Sequence, residues 1–266
     1  MKNPWVKGVS VLIVAGVAVG VNVLGYTKTK QAQQAQRIEQ AVTTISNQQK
    51  QLETIQTAID ATYEDETQDL LKPNVTVESM TKIENNLNRL KVTAADFSLS
   101  AKDLPAEVES LGQQKAQLQT QLQIVSDKVK LQQQLLKLFT NESINFQEAI
   151  NDVIIQPDAT LKEIETLREA VALLPGEQWQ AMMKEYLDYA QAQVSRANDL
   201  RTSFEEMLND GKVTDAATYE RYSTAADSIT QVRNPELKET FQTQLNQIGE
   251  QLGFGSMYYS QDETYE

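Results

Sequence analysis

A chain of 266 residues with 24 basic and 37 acidic side chains carries a net charge of −13, and it contains neither histidine nor cysteine. Lacking both residue types, it has no disulfide, thiol or imidazole chemistry and loses most zinc and iron sites. An acidic surface repels phosphate backbones, so nucleic acid is not an expected partner.

The chain opens with a seven-residue basic tail, followed by the run VSVLIVAGVAVGVNVLG. From residue 8 to 25 this stretch has no charge, and as a helix it reaches roughly 27 Å, close to the hydrocarbon thickness of a bilayer. Trp5 and Tyr26 bracket it as interfacial anchors, and no small-residue cleavage site follows. The expectation is a single N-terminal transmembrane helix, an uncleaved signal anchor that makes the protein integral to the membrane. Gly16 and Gly20 form a G-x-x-x-G through which two such helices can pack closely, although glycine is also common in membrane helices generally. Lys2 and Lys7 are matched by Lys28, Lys30 and Arg37 on the other flank, so charge hardly orients the anchor. The short basic tail and the acidic, Gln-, Asn- and Thr-rich body place the bulk of the chain outside. A cysteine-free composition fits an exported Gram-positive protein, as it fits many cytoplasmic ones.

Residues 28–156 read as a stalk of long helices. Ile38, Ile45, Leu52 and Ile59 recur at one core position and Ala41, Gln48, Ile55 and Thr62 at the other, predicting a helix of about forty residues that ends near Leu71. The seam has two uses. It can form a parallel homodimer beside the membrane, with Gln48 fixing register, or it can pack on the next two helices of its own chain. Those helices carry Met80, Ile83, Leu87, Leu90, Ala94 and Phe97, and then, after Pro105, a stripe from Val108 to Phe139.

Pro157 marks a boundary, and residues 157–252 read as a second bundle, broken at LLPGE, NDGK and RNPE, with 253–266 a flexible tail containing Tyr258 and Tyr259. The acidity gathers here: residues 157–266 hold 9 basic and 20 acidic side chains. The fold class that follows is all-α: the transmembrane helix, an elongated antiparallel helical bundle or coiled coil, and a second helical bundle.

The chain shows no glycine-rich phosphate loop, nucleophile elbow or clustered metal ligands, so no enzyme, cofactor or metal is expected. Glu142, next to Ser143, has the look of the acid of lysozyme-like transglycosylases, but their downstream substrate-binding motif is missing, and a helix-cap or surface role is favoured. Trp179, Tyr186 and Tyr189 are candidates for a partner surface, with core packing the favoured alternative; Tyr258 and Tyr259 are candidates for a docking motif.

IDATYEDETQDLLKPNVTVESMTKIENNLNRLK, followed by LGQQKAQLQTQLQIVSDKVKLQQQLLKLFTNESIN, resembles the first extracellular domain of MapZ-type mid-cell-anchored division proteins over roughly residues 55 to 210, with Leu138 and Phe139 closing the long Gln-rich helix. The resemblance implies external helical domains that engage cell wall and division machinery. The family's long cytoplasmic region is replaced here by seven residues. The expected function is a membrane-anchored, extracytoplasmic scaffold that holds protein partners, and cell wall, at the envelope. The alternatives are a cytoplasm-facing coiled-coil regulator of assembly and an envelope glycan hydrolase.

Overall fold

The computed structural model describes residues 28–100 and 106–253. They form α1 (Lys28–Asp60), α2 (Val77–Asn88), α3 (Ala106–Leu136), α4 (Leu161–Ala172), α5 (Glu177–Met207), α6 (Tyr219–Thr230) and α7 (Pro235–Leu252). A 3-10 turn at Ala95–Phe97 lies between α2 and α3, and a two-residue hairpin, β1 (Leu208–Asn209) with β2 (Lys212–Val213), lies between α5 and α6.

Two sequence expectations are corrected. No helix among the described residues is long and apolar enough to cross a membrane, so the expected transmembrane helix and single-pass attachment have no support in this fold. The long helices each carry only a stripe of apolar residues and are polar elsewhere; the run at 8–25, with Gly16 and Gly20, lies outside the described residues. NDGK, expected to be a plain helix break, is a hairpin turn in which Asp210 (φ 48°) and Gly211 (φ 75°) both take positive φ, as a tight primed turn requires.

The helices alternate long and short because one segment is used three times. Thr76, Thr160 and Thr218 each cap a twelve-residue helix, accepting from the N–H of Ser79, Glu163 and Arg221. Four, seven and eleven residues after each cap come Met80, Ile83 and Leu87; Ile164, Leu167 and Val171; and Tyr222, Ala225 and Ile229. All are buried except half-buried Ile83. This is the spacing of one helical face. Val75, Ala159 and Ala217 immediately precede the caps, the position of a hydrophobic staple. Five residues before each cap, Leu71, Ile155 and Val213 pair antiparallel with the chain leaving the preceding long helix, at Tyr63, Phe139 and Leu208. Even the flanking hydrogen bonds recur: Lys72 N–H to Thr62 O at 2.8 Å, Gln156 N–H to Leu138 O at 2.8 Å, and Thr214 N–H to Met207 O at 3.0 Å.

Each short helix packs on the two long helices that flank it in sequence, which also pack on each other. The result is three three-helix bundles, α1-α2-α3, α3-α4-α5 and α5-α6-α7, with α3 and α5 each shared by two. At 31 residues, α3 is about 46 Å long, enough to serve successive bundles along its axis. Its residues Val108 to Val129 join a core with α1 and α2, whereas Leu131 and Leu135 join the core that holds α4 to α7. The cores therefore divide inside α3, not at Pro157.

A twelve-residue helix is marginal alone, so its cap and its three buried positions decide whether it forms. Replacing Thr160 by Ala removes the hydroxyl's two bonds, the one it accepts from Glu163 N–H and the one it donates to the Glu163 carboxylate, and keeps the backbone N–H of residue 160 on that carboxylate. The expected loss is about 1 kcal/mol, read as a lower urea midpoint at unchanged m, with Thr160→Ser close to wild type.

Candidate functional site

The joint between the two cores is built around one charge. Lys128 is 1% exposed and sits one residue before Val129, the last α3 residue of the first core. Its Nζ donates to the Asp69 carbonyl at 2.8 Å and stands 5.5 Å from the Tyr63 ring centre and 5.2 Å from that of Trp179. Tyr63 ends the α1 segment, Asp69 lies in the loop returning from it, and Trp179 opens α5. A single ammonium thus touches both bundles, and the two ring faces supply part of the stabilisation that water would have given.

Asp69 ties the same parts a second way. Its Oδ2 accepts from Gln178 N–H and its Oδ1 from Trp179 N–H, both at 3.0 Å. The N-cap of α5 is Gly176, which has no side chain to offer, so a carboxylate more than a hundred residues upstream caps the helix and meets its positive dipole end. Glycine is required there. Its φ is 115°, and a Cβ would lie 2.5 Å from Asp69 Oδ1 and 2.7 Å from Lys128 Nζ.

Burial pushes the Lys128 ammonium down from 10.5 to about 8, opposed by the negative charge of Asp69. Burial, then the charges of Asp60 and Asp69, pushes the Tyr63 phenol up to about 12. Trp179 Nε1 is buried with no partner among the described residues.

The other two joints have the same geometry with glutamine in place of the buried lysine, and at the second the exposed Arg233 guanidinium also donates to the Val153 carbonyl at 3.3 Å. Lys128 takes the carbonyl two residues before Leu71. Gln193 Nε2 takes the carbonyl of Val153, two before Ile155, at 3.0 Å, while its Oε1 accepts from Ile155 N–H. Gln247 and Gln251 on α7 both donate to the carbonyl of Gly211, two before Val213, at 3.0 and 2.9 Å. In each case the next long helix fastens the return loop by a long polar side chain.

The sequence candidates fall elsewhere. Ile45, Gln48, Leu52, Ile55 and Ile59 are buried and Ile38 half-buried, the seam being occupied by the chain's own α2 and α3. Of the two uses the sequence leaves open, the seam therefore takes intramolecular packing, with the Gln48 Oε1 buried and unpartnered among the described residues. Trp179 and Tyr186 are 0% and 1% exposed, so they are core residues and not a partner surface. The Tyr186 hydroxyl donates to Asn145 O at 2.9 Å and accepts from Ile150 N–H at 3.3 Å, pinning the loop between α3 and α4. Tyr189 is half-buried and bonds to Glu185. Glu142 is exposed on the loop after α3; the acid of a transglycosylase is a buried one. Tyr258 and Tyr259 lie outside the described residues.

Lys128 was legible in principle, since it falls seven residues before Leu135 on the inward stripe of α3. Nothing local marks Asp69 or Gly176.

Two open grooves flank the short helices. One of about 580 Å³ lies between the end of α3 and the start of α4, and includes Lys137, Leu138, Ala159, Lys162 and Leu167. The other, about 330 Å³, lies between α5 and α6 and is lined by small and hydroxyl side chains with Arg196 and Asp199.

Comparison with protein-family models, with curated proteins and with solved structures finds no match.

The lowered Lys128 pKa fixes a pH dependence. Between about 8 and 10.5 the unfolded chain binds this proton and the folded chain does not, so Lys128 makes stability rise with pH across that window. Tyr63 acts oppositely: from 10 to about 12 the folded chain holds the proton that the unfolded chain loses, so stability falls. In urea titrations from pH 7 to 10, wild type is expected to gain stability relative to Lys128→Met as pH rises past 8. Parallel profiles would show that Lys128 is not buried as a cation.

Proposed function

We propose that the protein is a helical-repeat binding scaffold, which holds and spaces protein partners and transforms no substrate. The observation that carries this reading is the threefold recurrence itself. A segment used three times, with its joints fastened the same way each time, presents equivalent surface positions at intervals along shared helices, as repeat scaffolds do. The first helical residue after each cap is an apolar side chain turned outward: Val77, Leu161 and Tyr219, at 38%, 42% and 57% exposure. Apolar residues repeated at equivalent exposed positions suit a contact surface better than a fold requirement, because burial does not hold them there. The resemblance of residues 55 to 210 to MapZ-type external domains supports seeking the partner among envelope and division machinery.

The test is in-cell crosslinking of the full chain, followed by the same experiment on a variant with Val77→Ser, Leu161→Ser and Tyr219→Ser. Wild type is expected to capture a defined protein, and the variant to lose it with an unchanged helical circular-dichroism spectrum. Equal capture by both removes the repeated surface as the contact. Glycan release from purified cell wall that disappears in Glu142→Gln replaces the scaffold reading with a hydrolase.

A further inference from the structure

The connection from α3 to α4 is the part of the repeat that does not repeat. Residues 209–212 separate the paired residues of the third bundle and 64–70 those of the first, whereas 140–154 lie between Phe139 and Ile155 in the second. A connection of that length with no helix or strand inside it is uncommon in a packed fold. It is held from outside instead. The Tyr186 hydroxyl holds the Asn145 carbonyl and the Ile150 N–H, and Gln193 holds the Val153 carbonyl, while half-buried Ile144, Phe146 and Ala149 pack against the second core.

Those contacts seat the segment on its own bundle, and two others reach the neighbouring ones. Gln147 Nε2 donates to the carbonyl of Leu71, in the return loop of the first bundle, at 2.7 Å, and Leu70 beside it packs against the second core. Four residues further on, Asn151 is gripped from the RNPE corner of the third bundle: the Arg233 guanidinium donates to its carbonyl at 3.0 Å and to its Oδ1 at 2.8 Å. Leu71 and Arg233 lie in connections that belong to one bundle each, and the first and third bundles share no helix. One segment of the middle bundle therefore holds both outer ones.

Resting on the scaffold reading for its use, we propose that residues 141–153 are a brace that sets the angle between the outer bundles, and through it the spacing of Val77, Leu161 and Tyr219. Shared helices alone set that angle loosely, because long helices curve. A segment seated on the middle bundle and bonded to a loop on either neighbour fixes both against one frame. The partner class that follows is one that engages at least two of the three outward positions at once, since only then does their spacing enter the affinity.

The chain has no native cysteine, so Glu84→Cys on α2 and Asp227→Cys on α6, both exposed positions, carry a pair of spin labels whose separation is read in the full chain by double electron–electron resonance. One narrow distance distribution is expected with the brace intact. Adding Gln147→Ala and Arg233→Ala is expected to widen it at least about twofold with unchanged helical circular dichroism. In-cell capture by the chain carrying only those two alanines is expected to fall at least about tenfold, although Val77, Leu161 and Tyr219 are untouched. A distribution as narrow in the alanine variant as without it overturns the brace. A widened distribution with undiminished capture overturns its role in spacing the contacts. A wild type that captures no protein removes the scaffold reading and leaves the distances to decide the brace.

Discussion

The fastening of each return loop to the next long helix is the contact on which the architecture turns. A helix of twelve residues has little stability of its own, and the chain that leads into it would be loose if only the cap held it. In all three bundles, the carbonyl two residues before the bridging residue is taken by a long polar side chain from the helix that follows: Lys128, Gln193, then Gln247 with Gln251. That bond sets the loop, the loop sets the cap, and the cap aims three apolar side chains at the core. Because Lys128 lies on α3 and Gln193 on α5, helices that also belong to the next bundle, the first two of these bonds couple neighbours.

The first joint differs from its siblings in being held by a buried charge; the Arg233 guanidinium that also reaches the Val153 carbonyl of the second is exposed. A glutamine satisfies a carbonyl at little cost, whereas an ammonium removed from water carries a desolvation penalty. The surroundings offset part of it with two aromatic faces and the nearby Asp69 carboxylate, and Asp69 in turn caps α5 across the boundary between cores. One buried charge therefore organises parts of α1, α3, α5 and the intervening loop. Gly176 is the geometric consequence: the approach of Asp69 and Lys128 leaves no room for a Cβ.

Much of the helical content was legible from periodicity, because the stripes from Ile45 to Ile59 and from Val108 to Val125 are long and regular. Thr76, Thr160 and Thr218 are equally readable as caps, yet the connecting loops differ in length, so no constant period marks the repeat. The short α2 was overextended to Phe97: its apolar spacing continues past Asn88, but the chain there gives way to the turn held by Asp96, which accepts from Val92 and Thr93. Trp179 and Tyr186 are the favoured core residues rather than a partner surface, because aromatic side chains on a helix between two others fill volume. The joint itself was hidden because its parts, Tyr63, Asp69, Lys128 and Gly176, are brought together by tertiary structure across more than a hundred residues.

Native-state hydrogen exchange in wild type and Asp69→Ala reads the coupling most directly. If shared helices and cross-boundary capping unite the bundles, protection runs unbroken through Lys128 to Gln132 in α3, and Asp69→Ala lowers protection at Gln178 and Trp179 as well as in its own loop. An α3 that exchanges as two separate segments, with the effect of Asp69→Ala confined to residues 61–76, would contradict the account.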